Sequence, residues 1–293
     1  MPKPKRTSRK SSLGKPRNGK FRGSRSSHSH SDRPVKKRSH RPRKPSKPAP
    51  EGCIRIQKYL AECGIASRRA VEEMVELGLI EINGQVKKKL PLFVDPEVDE
   101  IVVEGRRVNK KPDKHVYYLL HKPKNVVCTN FDPLNRKKAV DFLKEVPQRI
   151  YCVGRLDADS TGLLILTNDG SFTQHVTHPS HQISKTYLVT VAGKVEGDSL
   201  EKLKKGIYLD GRRTAGAHLK VVARGRETTT LEISLREGRN REIRRMLLRV
   251  GHKVKALKRV SIGPIKLRDL KPGYIRELTP REIAMLKSSG EHN

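Results

Sequence analysis

The sequence is poor in cysteine and has no long apolar run. Its four cysteines, Cys53, Cys63, Cys128 and Cys152, are spaced too widely for a paired zinc motif. We therefore expect free, buried thiols in a reducing cytoplasm. No apolar run approaches the roughly 18 residues that a membrane span requires, and no signal-peptide core is visible. These absences predict a soluble protein with no membrane partner.

Acidic side chains are also scarce. Only 31 Asp and Glu stand against 64 Lys and Arg, which leaves a formal net charge of +33 over 293 residues. Residues 1–50 hold 18 of the basic residues and a single acid, Asp32, so they carry +17 and the rest of the chain +16. An excess of this size indicates a polyanionic partner, and nucleic acid is the first candidate.

The N-terminal segment, residues 1–52, has the composition of a disordered basic tail. Its first 50 residues contain eight prolines and one aromatic residue, Phe21, which is too little apolar surface to offset the entropy of ordering. An organellar presequence is the alternative, because such segments are also rich in Arg and Ser. The prolines and the missing amphipathic stripe favour a tail that binds RNA without sequence preference.

Residues 53–109 predict a small unit of two helices and a hairpin. Apolar side chains at the spacing of one helical face define the first helix, which Gly64 ends: Ile56, Tyr59, Leu60 and Cys63. Ser67 is the expected N-cap of the second helix, whose shared face comprises Val71, Met74, Val75 and Gly78. Asn83-Gly84 favours a type I′ hairpin, and "EIVVEGRRV" reads as a last strand.

After a predicted linker at residues 110–114, residues 115–288 predict an α+β domain with a mainly antiparallel sheet. Short β-branched runs separated by turns indicate the strands: "VYYLL", "NVVCT", "YCVGRL", "GLLILT", "TYLVTV", "HLKVVAR", "TTLEISL" and "VKALKRVSIGPI". Helical periodicity occurs at "AVDFLKEV", "DSLEKLKKGI" and "NREIRRMLLRVG".

The segment "VGRLDADSTGLLILTNDG" is the first candidate for chemistry. It contains no phosphate-binding glycine loop, no serine nucleophile elbow and no His/Glu zinc pattern. Arg155, Asp157 and Asp159 are spaced by two, so in an extended segment they share one face. An arginine neighbour keeps Asp157 ionised and available as a nucleophile or base. The alternative is an ordinary surface ion pair in a loop before a buried strand. When this segment is considered without the rest of the sequence, the surface ion pair is the favoured interpretation.

A second segment, "REGRNREIRRMLLRVG", predicts an amphipathic helix rich in arginine. Its apolar face is formed by Ile243, Met246, Leu247 and Val250. The same segment carries five arginines at near-helical intervals: Arg239, Arg241, Arg244, Arg245 and Arg249. Such a helix packs on a core while presenting guanidinium groups to phosphates or to a carboxylate.

Taken together these motifs resemble those of a known enzyme family. Residues 53–109 resemble the S4 RNA-binding domain. "HKPKNVVCT", "GRLDADSTGLLILTNDG", "SKTYLV", "EGRNREIRRM" and "LKRVSIGPIKL", in this order, resemble the RsuA/RluB/RluE/RluF family of ribosomal RNA pseudouridine synthases, closest to the RluB branch.

The resemblance implies a role for each matching residue. Asp157 matches the essential catalytic aspartate, and Tyr187 the tyrosine that stacks on the target base. Arg244, with Arg239 second, is the expected basic partner of Asp157. Arg155 matches the arginine that enters the space left by the flipped nucleotide. The remaining expected RNA contacts are Lys58, Arg68 and Arg69 in the S4 domain, and Lys122, Arg239 and Arg241 in the synthase domain.

The chain departs from the family pattern at the first motif and in the arginine helix. His121 replaces an asparagine, and Asn125 stands near a family glycine, where asparagine tolerates a left-handed backbone. Glu242 replaces a frequent glutamine, which removes an amide donor and adds negative charge near RNA. Three histidines, at positions 175, 178 and 181, have no acidic or cysteine partner in their run, so no metal is expected there.

The sequence thus predicts a cytoplasmic, monomeric enzyme that converts a uridine of large-subunit ribosomal RNA to pseudouridine. No cofactor is expected, because the reaction involves neither redox chemistry nor phosphoryl transfer. A small-subunit target is one alternative. A noncatalytic RNA-binding assembly factor is the other, but such a descendant should have lost Asp157 or Tyr187, and both are present.

Overall fold

The computed structural model describes residues 49–108 and 114–290. The predicted tail therefore lies outside the described residues up to position 48, as does the predicted linker from 110 to 113. The boundaries proposed for the domains remain predictions. Within the described residues no helix is both long and apolar enough to cross a membrane.

The first unit contains two short helices and six short strands. In chain order they are β1 (Ile54–Arg55), α1 (Ile56–Glu62), α2 (Arg68–Glu76), β2 (Ile80–Ile82), β3 (Gln85–Val86), β4 (Phe93–Val94), β5 (Ile101–Val103) and β6 (Arg106–Arg107). The predicted face of α1 is buried, and Ser67 Oγ accepts a hydrogen bond from Ala70 N at 3.1 Å, so both helix predictions are confirmed.

The hairpin prediction is also confirmed, whereas the last predicted strand is divided. Asn83 and Gly84, at φ 51° and 73°, connect β2 to β3. The run "EIVVEGRRV" turns at Glu104 and Gly105, at φ 50° and 72°, and forms the antiparallel pair β5 and β6. A two-residue turn with positive φ at both positions reverses the chain, which a continuous strand does not allow.

The second unit is built on a nine-stranded mixed sheet. Its strands are β7 (Tyr117–Lys122), β8 (Tyr151–Val153), β9 (Thr161–Thr167), β10 (Lys185–Ala192), β13 (His218–Arg224), β14 (Thr228–Leu235), β15 (Val254–Ile262), β16 (Ile265–Lys266) and β17 (Ile275–Glu277), and a separate two-stranded hairpin comprises β11 (Tyr208–Leu209) and β12 (Arg212–Arg213). The order is β13-β14-β10-β15-β9-β7-β17, with β8 beside β9 and β16 beside β15. Strands β9 and β15 are parallel and the other pairs antiparallel, which confirms the predicted α+β class.

The parallel strands β9 and β15 connect the two halves of the sheet, and they approach each other closely at Gly162. Gly162 has φ +108°, and a Cβ built there would lie 2.2 Å from the backbone oxygen of Arg259. Only glycine allows this approach, because any larger residue would collide with the neighbouring backbone. The approach holds β15 against the strand that follows the GRLD motif.

Within residues 114–290, four α-helices accompany the sheet: α3 (Gly170–Thr177), α4 (Gly197–Lys205), α5 (Glu242–Arg249) and α6 (Pro280–Ser288). The periodicity predicted α4 and α5 but missed α3 and α6. Two further predictions were wrong. "NVVCT" forms only an isolated bridge at Val127, and "AVDFLKEV" forms a 3-10 helix, Ala139–Leu143. Both runs lie in the long connection from β7 to β8, where neither has a neighbouring strand to extend a ladder.

Candidate active site

A cavity of about 300 Å³ opens where three parts of the second unit meet. Its walls come from the GRLD loop, which follows β8, from β10 and β15 in the sheet, and from the arginine-rich segment that leads into α5. The lining includes the charged and aromatic side chains of Arg155, Asp157, Lys185, Tyr187, Arg241, Arg244 and Arg259. The motifs are far apart in the sequence, and the fold brings them to one cavity.

The GRLD loop is a turn and not the extended segment that the spacing suggested. Ser160 N donates to Asp157 O at 3.0 Å, which closes a turn over Ala158 and Asp159. Leu156 is buried beneath the loop, and its N–H donates to Cys128 Sγ at 3.3 Å. The buried leucine and the turn together hold the Asp157 side chain at the cavity wall.

Asp157 pairs with Arg241. Arg241 Nη1 lies 3.0 Å from Asp157 Oδ2, and the Asp157 side chain is 32% exposed. The sequence interpretation favoured Arg244 for this role, then Arg239, and the geometry contradicts that choice. Arg241 precedes α5 with a left-handed backbone, φ 48°, which turns its side chain toward the loop.

Arg244 and Arg239 have other partners. Arg244, only 13% exposed, lies 3.1 Å from Asp159 Oδ2 and contacts the hydroxyl of Ser160. Arg239 pairs with Glu237 at 2.7 Å and donates to the backbone oxygen of Arg213. Arg244 therefore supports the turn next to Asp157, while Arg239 braces the segment before α5 against the β11–β12 hairpin.

Tyr187 lines the cavity from the central strand β10. Its register partner on β15 is Arg259, whose Nε donates to the backbone oxygen of Leu163 at 2.7 Å. Tyr187 is partly buried against two hydrophobic cores, which leaves an aromatic face at the cavity. Its predicted stacking role stays a prediction, and its position suits that role. The sequence interpretation missed Lys185, two residues earlier on the same face of β10, although it belongs to the quoted motif "SKTYLV".

The position of Lys122 in the structure does not favour its predicted contact with RNA. The residue is fully buried, and its Nζ donates to the backbone oxygens of Pro123 at 2.9 Å and Val126 at 2.8 Å. Burial lowers the pKa of Lys122. The side chain has no exposed surface from which to reach a phosphate. Its hydrogen bonds instead connect residues of the first motif, "HKPKNVVCT". Its Nζ also lies 3.5 Å from the backbone oxygen of Ala158 in the GRLD loop.

The departures from the family pattern have structural explanations. His121 is buried, and its Nδ1 donates to the backbone oxygen of Leu270 at 2.6 Å. Asn125 has φ 62°, which confirms the left-handed turn expected of it. Glu242 is buried, and its Oε2 accepts a hydrogen bond from Arg239 N at 3.1 Å. Because desolvation raises the pKa of Glu242 to about 7, it does not present the full negative charge to RNA that the sequence suggested.

Five predicted RNA contacts are exposed side chains, and one of them, Arg241, is the partner of Asp157. Arg155 lies at the cavity, and Lys58, Arg68 and Arg69 lie on the helices of the first unit. Lys58 Nζ lies 3.8 Å from Glu62 Oε1 on the surface. Because surface ion pairs contribute little free energy, Lys58 can leave Glu62 and bind a phosphate at little cost. Their roles in RNA binding stay predictions.

Two of the three histidines have backbone or hydroxyl partners, and the His181 ring packs with its centroid 4.4 Å from that of His175. His175 Nε2 lies 2.9 Å from the backbone oxygen of Ser289, and His178 Nδ1 lies 2.6 Å from Ser180 Oγ. Across residues 49–108 and 114–290, no group of three or more His, Cys, Asp or Glu side chains is placed to hold a metal ion.

The arrangement suits the binding of one nucleotide, whose phosphate is anionic and whose base is planar. A carboxylate and an aromatic face line a small cavity, and exposed arginines surround its mouth: Arg155, Arg236 and Arg241. Guanidinium groups bind phosphates with fixed geometry, so the mouth can hold a nucleic-acid backbone while the cavity takes a single base.

Comparison with known proteins identifies the family. Residues 116–249 match the family model described as RNA pseudouridylate synthase, and residues 54–99 match the S4 domain. The "Ribosomal large subunit pseudouridine synthase B" of Bacillus subtilis (strain 168) is 41% identical over 240 residues, which cover 81% of this chain and 97% of that protein. An "Uncharacterized RNA pseudouridine synthase" of Aquifex aeolicus (strain VF5) is 42% identical over 234 residues, 80% of this chain and 93% of its own length. A solved crystal structure of a pseudouridylate synthase matches with a TM-score of 0.58 and 32% identity, over 80% of this chain and 99% of that one. The chain therefore belongs to the RNA pseudouridylate synthases, in the S4-containing RsuA/RluB group that its motifs indicated.

Proposed function

We propose that this enzyme isomerises a specific uridine of large-subunit ribosomal RNA, with Asp157 as its catalytic carboxylate. One observation carries the assignment of the site: Asp157 is held at 3.0 Å by Arg241 on the wall of a cavity that Tyr187 also lines. The large-subunit target is supported by the name of the Bacillus relative, which matches along nearly its whole length.

The chemistry explains why each part is needed. Uridine is joined to ribose through N1 and pseudouridine through C5, so the base must detach, rotate and reattach, and C5 must lose its proton. A base stacked in RNA cannot do this, and extruding it costs a few kcal/mol. Arg155, exposed at the cavity mouth, fills the vacated position in the RNA.

Two of the cavity residues act on the extruded nucleotide. Tyr187 retains the free uracil by stacking, a contact worth roughly 1 to 3 kcal/mol. Asp157 has two routes: it attacks C1′ of the ribose, or it removes the 2′ proton to give a glycal. Both routes need a carboxylate at this position, and Arg241 Nη1 holds it at 3.0 Å.

We further propose a cytoplasmic enzyme that acts as a monomer. The four cysteines are free thiols, which fits a reducing compartment. Asp157, Tyr187 and Arg241 all reach the cavity from one chain, so a second copy is not needed to complete the site.

Mapping pseudouridine in ribosomal RNA tests the proposal. Cells that lack the protein should lose one large-subunit pseudouridine, which the wild-type gene restores. Asp157→Asn keeps the size of the side chain but removes its charge, so it should not restore the modification although it binds ribosomal RNA like wild type. If no pseudouridine disappears, or if Asp157→Asn restores it, the assignment fails. If the lost position lies in the small subunit, the proposed target is wrong.

A further inference from the structure

Lys185 is a cation in the cavity that no proposed role has used. It begins β10 and shares the cavity with Tyr187, two residues along the strand. Its register partners are Leu235 on β14 and Ile262 on β15, and both also line the cavity. The Lys185 side chain therefore leaves the sheet between two apolar residues of the cavity wall.

Among the residues that the structure describes, no negatively charged side chain pairs with Lys185. Neither a carboxylate nor a hydrogen-bond acceptor of these residues partners its ammonium, and the pKa of Lys185 falls to about 8 because of burial and the neighbouring Arg259 charge. Arg259 is itself buried, with an Nη2 that has no partner. Asp157 is already paired with Arg241. Lys185 itself is half-buried, and a partly desolvated cation without a counter-charge is unfavourable unless a bound group supplies the missing acceptor or charge.

The reaction supplies such a charge inside the cavity. When the C1′–N1 bond breaks, its electron pair stays with uracil and spreads over O2 and O4. C1′ is meanwhile taken by the Asp157 carboxylate, or the ribose loses its 2′ proton to that carboxylate. The detached base is thus an anion with two acceptor oxygens, stacked on Tyr187.

Resting on the function proposed above, we infer that Lys185 donates a hydrogen bond to a carbonyl oxygen of the target uracil and stabilises the uracil anion. Lys185 keeps its proton throughout, so the step needs no co-reactant. A backbone phosphate is the less suitable ligand, because Arg155, Arg236 and Arg241 are exposed at the mouth and hold phosphates there. Fixed cations aimed at developing charge accelerate a reaction more than they strengthen substrate binding.

The experiment compares Lys185→Met, Lys185→Arg and wild type under single-turnover conditions, on transcripts that carry the mapped target as uridine or as 5-fluorouridine. Fluorine makes uracil more acidic and hence a better leaving group, so it needs less help from a cation. The rate followed on both transcripts is that of C1′–N1 cleavage, because C5 of 5-fluorouridine carries fluorine and has no proton to lose. With uridine, Lys185→Met should be slower by about 100-fold or more, in the range seen when one donor to a developing anion is removed. Its affinity for the transcript should change less than about threefold, because the contact strengthens only as charge develops.

The pattern across substrates decides the question. With 5-fluorouridine the Lys185→Met defect should be at least tenfold smaller than with uridine, and Lys185→Arg should recover most of the rate on both because it keeps the charge. Lys194→Met, at an exposed lysine beyond the same strand, is the matched control and should behave like wild type. Equal losses on the two substrates, or a Lys185→Arg variant as slow as Lys185→Met, would overturn the inference. A wild-type enzyme that modifies neither transcript would instead point to failure of the proposed function.

Discussion

At the scale of single residues, Lys122 shows how a charged side chain can be structural. Its ammonium group is fully buried and donates to two backbone oxygens of the first motif at 2.8 and 2.9 Å. A third backbone oxygen, that of Ala158, belongs to the GRLD loop. The residue therefore links two motifs that are 36 positions apart in the sequence.

Replacing Lys122 should destabilise the domain. Lys122→Met leaves these backbone oxygens unpaired in the core, and we expect a loss of about 2 to 3 kcal/mol in the free energy of unfolding. Urea denaturation measures the loss. Lys124→Met, at an exposed neighbour, is the control and should change the stability by less than about 0.5 kcal/mol. If Lys122→Met is as stable as the control but binds RNA poorly, Lys122 is an RNA contact after all.

Arg241 should matter more for the rate than Arg244. Arg241→Ala removes the direct partner of Asp157, so single-turnover pseudouridine formation should fall by about 100-fold, as when one preorganised donor is lost. Arg244→Ala removes support from Asp159 and should cost less in rate and more in stability. Arg249→Ala, exposed at the end of α5, is the control. A larger rate loss for Arg244→Ala than for Arg241→Ala would mean that Arg244, which the sequence favoured, is the functional partner of Asp157.

At the scale of elements, α5 carries the site because its two faces differ. Ile243, Met246 and Leu247 are buried in a core with strands of the sheet, while Arg241 before the helix and Arg244 on it contact the GRLD loop. The segment before the helix is held by Glu242, which accepts a hydrogen bond from Arg239 N. That carboxylate is buried with one oxygen, Oε1, unpartnered.

Glu242 should make the stability of the protein depend on pH. Burial raises its pKa from 4.5 to about 7, so between these values the folded protein binds a proton that the unfolded chain releases. Stability from this group is therefore greatest below about pH 4.5 and falls as the pH rises toward 7. Glu242→Gln removes this dependence, and its melting temperature relative to wild type should rise from pH 5 to pH 8. Glu232→Gln, exposed on β14, should show no such trend. A flat difference for Glu242→Gln would mean that the buried carboxyl does not titrate in this window.

At the scale of the whole molecule, we propose that positive charge attracts the RNA and that a single carboxylate, Asp157, acts on it. Residues 1–50 hold 18 of the 64 basic residues, yet the rest of the chain still carries +16. The catalytic constellation lies entirely in the synthase domain. The tail is therefore expected to add affinity and not selectivity.

Removing residues 1–50 tests that division. Affinity for ribosomal RNA should fall, and the slope of log affinity against log salt concentration should become shallower, because fewer counterions are released on binding. The mapped pseudouridine should stay at the same position. Filter binding over a salt series measures the first effect and pseudouridine mapping the second. A shifted or additional modified position would show that the tail selects the site.

Local patterns predicted most of the elements because their causes are local. Ser67 caps α2, and Asn83-Gly84 turns the hairpin, through contacts within a few residues. The apolar spacing of Ile243, Met246 and Leu247 predicted α5 and its buried face. The pattern failed for "NVVCT" because a β-branched run becomes a strand only where a neighbour completes its ladder.

The sequence by itself determined the class of fold, the family and the identity of Asp157 and Tyr187 as candidates, because motif residues and their order are readable along the chain. Only the tertiary structure decided which arginine meets Asp157, that Lys122 is buried and that the GRLD loop, β10 and the segment before α5 meet at one cavity. These depend on a left-handed residue before α5, on the close approach of β9 to β15 at Gly162, and on burial. Each is set by contacts between segments distant in sequence, so no local spacing of residues records it.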